Sequence, residues 1–168
     1  MRHRVETTFV PLHLDRDAVS ALLPHRPPLL LVDEVIALGA GGHPALRARY
    51  RICGDEPVLQ GHFPGRPTWP GTYTIEGLAQ SCALVGGVFV TQPNAWDRSL
   101  SLPGAGSPLL ASVDVKLTRP VMPPAELVYE VVLTHVVDGI GRFEVEASVG
   151  GQSVARGTLL VARASDAA

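Results

Sequence analysis

From Ile75 onward the apolar residues of this chain change their spacing. Ile75, Leu78, Ala79, Cys82, Val85, Val88 and Phe89 recur at three- and four-residue steps, the pattern of a helix beginning near Gly71. The segment is apolar enough that this helix must be largely buried, which restricts the rest of the chain to elements able to cover it. Strands are available for that. Ala45 to Cys53 alternates, with Leu46, Ala48, Tyr50 and Ile52 set against Arg47, Arg49 and Arg51, the period-2 signature of a half-exposed strand. The C-terminal third reads as four more strands, at about Leu109–Leu117, Glu126–Val137, Arg142–Val149 and Ser153–Ala162. Short connections at Pro123-Pro124, Asp138-Gly139 and Gly150-Gly151 separate them, and the last two are hairpin signals. One long buried helix inserted among antiparallel strands predicts an α+β fold whose sheet wraps around that helix.

The remaining segments fill in around this core. Asp15 or Asp17 is placed to cap a short helix running to Leu23, where Pro24 stops it. Pro28 to Leu38 is apolar and β-leaning, and is expected to be a strand. Gly54 to Pro70 is a Gly/Pro-rich loop, and Gln92 to Pro108 is a long irregular loop of the kind that is functional or mobile. Neither a repeat nor a linker divides the chain, so one domain is expected over residues 1–168.

Composition narrows the function. A net charge of −2 and a pI near 6.3 give no reason to expect nucleic acid as a partner. Cys53 and Cys82 match no metal-ligand or redox spacing and are expected to be buried apolar side chains, as in a reducing, cytoplasmic compartment. Arg2 and Arg4 are followed by no apolar signal region, and the apolar run from Cys82 to Val90 is broken by Gly86 and Gly87. No membrane span is therefore expected. His3, His13, His43 and His135 lack acidic or metal-ligating company at useful spacing and are expected at the surface.

The densest signal is the eleven residues from Gly61 to Gly71, Gly-His-Phe-Pro-Gly-Arg-Pro-Thr-Trp-Pro-Gly, leading into Thr72-Tyr73-Thr74-Ile75-Glu76. Three prolines and three glycines hold the backbone around His62 with little freedom. A lone histidine is more often structural, but one on a rigid loop is suited to proton transfer, because its ordinary pKa lies near neutrality. Gly71 falls at the helix start, where a free N–H and the positive helix end can hold a developing oxyanion. Glu76 follows among Ile75, Leu78 and Ala79, so its carboxylate is partly buried and must either pair or carry a raised pKa. On its own it is as well explained by a salt bridge at the helix N-terminus.

These motifs, with Glu76-Gly77-Leu78-Ala79-Gln80, resemble the 3-hydroxyacyl-acyl-carrier-protein dehydratases of the FabZ/FabA type. Leu23-Pro24-His25-Arg26-Pro27-Pro28-Leu29-Leu30-Leu31-Val32-Asp33 is similar to that family's opening segment. Val115-Lys116-Leu117-Thr118-Arg119-Pro120-Val121 is similar to its strand after the helix. The resemblance implies the hot-dog fold and dehydration of a 3-hydroxyacyl thioester to the trans-2-enoyl thioester. It implies His62 as the base, Glu76 as the acid and the Gly71 amide as holder of the thioester carbonyl. It needs no metal or organic cofactor, and it implies active sites at a homodimer interface, with histidine and acid from different subunits.

Substrate contacts are expected from Phe63, Trp69, Pro70 and Gln80. Arg66, Lys116 and Arg119 are candidates for a basic rim facing the phosphopantetheine of an acidic carrier protein. His25 is expected to pack or to anchor its loop. Trp69, Gly77 and Leu117 stand where the family commonly has a smaller aliphatic residue or Met, an Ala and a Phe. These departures, with the long 92–108 loop, point toward polyketide or polyene assembly over housekeeping fatty-acid elongation. A hot-dog acyl thioesterase, or a non-catalytic acyl-binding subunit of a heterodimeric dehydratase, are the alternatives.

Overall fold

A computed structural model describes residues 6–91 and 107–163. Seven strands, β1 (Thr8–Leu14), β2 (Glu34–Ala40), β3 (Ala45–Ile52), β4 (Pro108–Leu117), β5 (Ala125–Val137), β6 (Ile140–Val149) and β7 (Gln152–Arg163), form one sheet. Its order is β1-β2-β3-β5-β6-β7-β4, antiparallel at every pairing. The helices are α1 (Arg16–Leu22), α2 (Pro57–Gly61) and α3 (Gly71–Thr91). The long helix α3 packs on β3, β4, β5, β6 and β7. Leu78, Cys82, Leu84, Val85 and Val88 meet Leu46, Leu127, Val131, Phe143 and Leu159 in one core. This is the expected architecture of a sheet curled around a buried helix.

The local signals act as anticipated where a specific residue enforces them. Asp15 accepts from the Ala18 amide at 2.9 Å and caps α1. The two hairpins turn at Asp138-Gly139 (φ 49° and 78°) and Gly150-Gly151 (φ 56° and 78°). Both residues of each turn have positive φ, as the hairpin-matching type I′ turn requires.

The reading of the elements needs correction at three places. Residues 28–33 are not strand; the amides of Leu29 and Leu30 close a turn on Arg26 O, and β2 begins only at Glu34. Leu30, Leu31 and Val32 are apolar because they pack in the core outside any ladder. β1 went unanticipated because Pro11 interrupts it, and a strand tolerates that at a sheet edge, where β1 lies. The 54–70 loop contains the short helix α2, started by Pro57 at its first turn. Of the expected 92–108 loop, residues 92–106 lie outside the described residues.

Among the cysteines only Cys82 is buried, and Cys53 is exposed. His13 and His43 also differ from bare surface residues: His13 Nδ1 lies 3.4 Å from Glu34, and His43 Nδ1 lies 3.1 Å from Leu133 O. His3 lies outside the described residues. Among those residues, no helix is long and apolar enough to cross a membrane.

Candidate active site

The loop that carries His62 is held by short, local bonds. Phe63-Pro64-Gly65-Arg66 is a β-turn closed from Arg66 N to Phe63 O at 2.9 Å, with Gly65 at φ 75°. Pro at the second position and Gly at the third are what a type II turn demands, since only glycine takes that positive φ without cost. Thr68 N returns to His62 O at 2.7 Å, and Trp69 N donates to Val121 O at 2.9 Å, tying the loop to the segment after β4. The His62–Phe63 peptide is cis.

His62 caps the C-terminus of α2, and its ring Nδ1 lies 2.7 Å from the carbonyl of Thr68. A carbonyl can only accept, so Nδ1 carries the hydrogen and the neutral ring presents the Nε2 lone pair. Phe63 stacks on the imidazole with ring centroids 4.0 Å apart. Orientation and tautomer are thus both fixed.

His62 opens onto a cavity of about 300 Å³, walled by Trp69, Gly71, Thr74, Leu117 and Arg119 among others. Trp69 is buried, with Tyr50 tilted against it at 5.5 Å and Tyr73 edge-on at 5.4 Å. The Tyr50 phenol is pushed up to about 12, first by burial and then by the charges of Glu56 and Asp33, so it stays neutral. Gly71 begins α3, and its amide precedes any intrahelical acceptor. A side chain there would collide with Leu117, so glycine is what lets β4 lie across the helix start. The cavity therefore combines an oriented imidazole, a helix N-terminus and mostly apolar walls, a combination suited to proton abstraction beside a polarised carbonyl.

Glu76 is not in that cavity's wall. At 3.6 residues per turn it points about 140° around α3 from Gly71 and about 160° from Thr74. Its carboxylate instead meets the opening segment of the family-like motif: Oε1 accepts from Gln80 Nε2 at 2.9 Å and lies 3.4 Å from His25 Nε2. Gln80 is 1% exposed, and its amide also donates to Leu29 O and accepts from Leu31 N.

The structure thus gathers His62, Gly71, Trp69 and Arg119 on one cavity and sets Glu76 and Gln80 on the other face of α3. The polar atoms of Gln80, an expected substrate contact, are engaged within the chain by Glu76 and residues 29–31. Pro70 is buried, and its carbonyl accepts from the Tyr73 and Thr74 amides. Phe63 is half-exposed beside His62. Arg119 donates to Gln152 at 2.6 Å, while Arg66 and Lys116 are exposed outside the cavity wall. Sequence reasoning missed His25 as a neighbour of Glu76, and it missed Thr74. The signal for Thr74 was its i+3 spacing from Gly71.

Known proteins resemble this chain over most of its length. The profile of the FabA-like domain matches residues 23–158. The chain belongs to this family of hot-dog-fold proteins. It is 37% identical over 143 residues to a 3-hydroxyacyl-acyl-carrier-protein dehydratase FabZ of Anaeromyxobacter, covering 84% of this chain and 85% of the relative. It is 33% identical over 155 residues to the Escherichia coli protein of that name, covering 92% and 95%. Among solved structures, the dehydratase heterocomplex ApeI:P of Xenorhabdus doucetiae superposes with a TM-score of 0.67 at 20% identity, over 88% of this chain and 91% of that one. The fluoroacetyl-CoA thioesterase FlK has the same fold, with a TM-score of 0.54 at 15% identity over 74% and 87%.

Proposed function

We propose that the protein dehydrates a 3-hydroxyacyl thioester, carried by acyl carrier protein, to the trans-2-enoyl thioester in fatty-acid or polyketide biosynthesis, in the cytoplasm. The observation that carries this reading is the anchoring of His62 Nδ1 on Thr68 O, which aims Nε2 into a cavity shared with the Gly71 amide. In this reading the thioester carbonyl accepts from Gly71 N–H, which stabilises the enolate as Nε2 removes the C2 proton. The C3–O bond then breaks, the hydroxyl takes a proton from a carboxylic acid, and water leaves as the C2–C3 double bond forms. The histidine's proton returns to the carboxylate to complete the cycle. No resident metal or organic cofactor enters these steps, because the thioester itself acidifies C2. Positioned acid–base groups are worth about 10²–10⁴ in rate.

The acid is Glu76, and we propose that it comes from a second copy of the chain. Within one chain Glu76 and the His62 cavity lie on opposite faces of α3. The strand β4 is at the edge of the sheet, with Leu109, Leu110, Val113 and Leu117 between 41% and 53% exposed. A ten-residue apolar edge is an aggregation site unless something covers it. Pairing with the same strand of a second copy covers it, in a self-complementary two-fold contact. Arg66, Lys116 and Arg119 are then the cations available to an acidic carrier protein near the cavity.

The test incubates purified protein with a 3-hydroxyacyl carrier protein and reads the product mass. Loss of one water supports dehydration; release of free acid indicates a thioesterase; an unchanged mass indicates an acyl-binding subunit. His62→Ala, folded as judged by circular dichroism, is expected to abolish the water loss.

A further inference from the structure

Thr74 lies one turn into α3 and is 2% exposed, yet it forms part of the wall of the His62–Gly71 cavity. A hydroxyl in a helix ordinarily bonds the carbonyl four residues back. Ser81 does this in the same helix, donating to Gly77 O at 2.8 Å. For Thr74 the corresponding acceptor is Pro70 O, which already takes the amides of Tyr73 at 3.0 Å and of Thr74 itself at 3.3 Å. No hydrogen bond joins the Thr74 hydroxyl to any other described residue. Much of the neighbouring wall is apolar, from Trp69, Leu117, Val121 and Val154.

A hydroxyl in a cavity wall without an internal partner is costly to cover with hydrocarbon and favourable against an oxygen. A plain alkyl chain passing Thr74 would exclude water and leave the hydroxyl unpaired. An acyl chain with an oxygen at that depth would satisfy it. Thr74 is about 4.5 Å further along the helix axis than Gly71. If the Gly71 amide holds the thioester carbonyl, as proposed above, Thr74 meets the chain a few bonds further on.

We infer that Thr74 is a specificity-determining residue, whose hydroxyl binds an oxygen carried by the acyl chain beyond C3. The preferred substrates are then oxygenated chains of the polyketide type. The inference rests on the dehydratase reading but concerns a different property, the ratio between two substrates. It also concerns a side chain to which that reading gives no role.

The experiment measures kcat/KM for carrier-protein thioesters of 3-hydroxyhexanoate and 3-hydroxy-5-oxohexanoate. The wild type is expected to prefer the 5-oxo chain. Thr74→Val keeps the side-chain shape and removes the hydroxyl, and it should reduce that preference by about 10- to 100-fold. Thr74→Ser, which keeps the hydroxyl, should retain the preference. If the valine variant does not fold, Thr74→Ala is read in the same way. A wild type without preference, or a ratio unchanged by loss of the hydroxyl, overturns the role of Thr74 while the dehydratase reading stands. A wild type that dehydrates neither substrate overturns both.

Discussion

His25 Nε2 lies 3.4 Å from Glu76 Oε1, the same oxygen that accepts from Gln80 at 2.9 Å. The other ring nitrogen of His25 is buried without a partner, so among the described residues the approach to Glu76 is the polar contact of the ring. With Oε1 held by Gln80 and approached by His25, Oε2 is the oxygen that, in the proposed mechanism, carries a proton to the substrate. If Glu76 is the acid, as proposed, His25 is a positioning residue for it. Replacing His25 with Phe removes that contact, worth about 1 kcal/mol, and should lower kcat by five- to tenfold while KM changes little. Gln80→Leu should cost more, because Gln80 also holds Leu29 and Leu31. Steady-state kinetics decide this; an unaltered kcat in His25→Phe would separate His25 from the site.

Gly77 and Tyr129 form a second pair with a measurable consequence. Tyr129 is fully buried, and a side chain on Gly77 would run into its hydroxyl. That hydroxyl has no hydrogen-bond partner. Gly77→Ala should therefore overpack the helix–sheet contact and destabilise by about 1–3 kcal/mol. Tyr129→Phe removes a buried unpaired hydroxyl and should be neutral or stabilising by about 1 kcal/mol. The double variant should keep most of the loss, since phenylalanine retains the ring carbons Cζ and Cε2 that the new Cβ also meets. Thermal melts of the four proteins check this, and full recovery in the double variant would mean that the hydroxyl alone makes the collision.

These pairs mark where the sequence was legible and where it was not. The period of Ile75 to Val88 and the turn residues at 138–139 and 150–151 act locally, so both could be read directly. The His62 loop was readable for a similar reason, because Pro64 and Gly65 can satisfy one turn type. The relation between His25 and Glu76 spans fifty-one residues and depends on how 26–33 leaves the ladder to reach α3, which no local pattern encodes. The apolar run at Leu30 to Val32 looked like strand because burial and β-propensity draw on the same residues. For Gln80, a buried amide and a substrate-facing amide are identical in sequence; only the placement of Leu29 O and Leu31 N separates them.

The two cysteines should react differently. Burial pushes the Cys82 thiol well above its ordinary 9.0, which keeps it protonated and inaccessible. Cys53 is exposed. Iodoacetamide at about pH 8 should add one group to the native protein, at Cys53, and two after denaturation. The same shift fixes the sign of the alkaline response. Above pH 9 the unfolded chain releases the Cys82 proton while the folded chain retains it, so stability falls with rising pH. The buried Tyr129 phenol, also raised by burial, adds to that loss above its ordinary 10.0. Native double labelling would show that Cys82 is open to solvent.

The opposite placement of His62 and Glu76 around α3 leads to a mixing experiment. If each site takes its histidine from one subunit and its acid from the other, His62→Ala and Glu76→Gln homodimers are both inactive. A mixed dimer, however, contains one site with both substitutions and one with neither. Random exchange makes about half of the dimers mixed, each with one of its two sites intact, so activity should recover to about a quarter of wild type. A site built within one chain gives no recovery at any ratio, because every site then carries one substitution. Val113→Glu places a charge on the exposed apolar edge of β4. It should yield a folded monomer by light scattering, and that monomer should lack activity because its His62 has no acid across from it. Full activity in a monomer would refute the shared site.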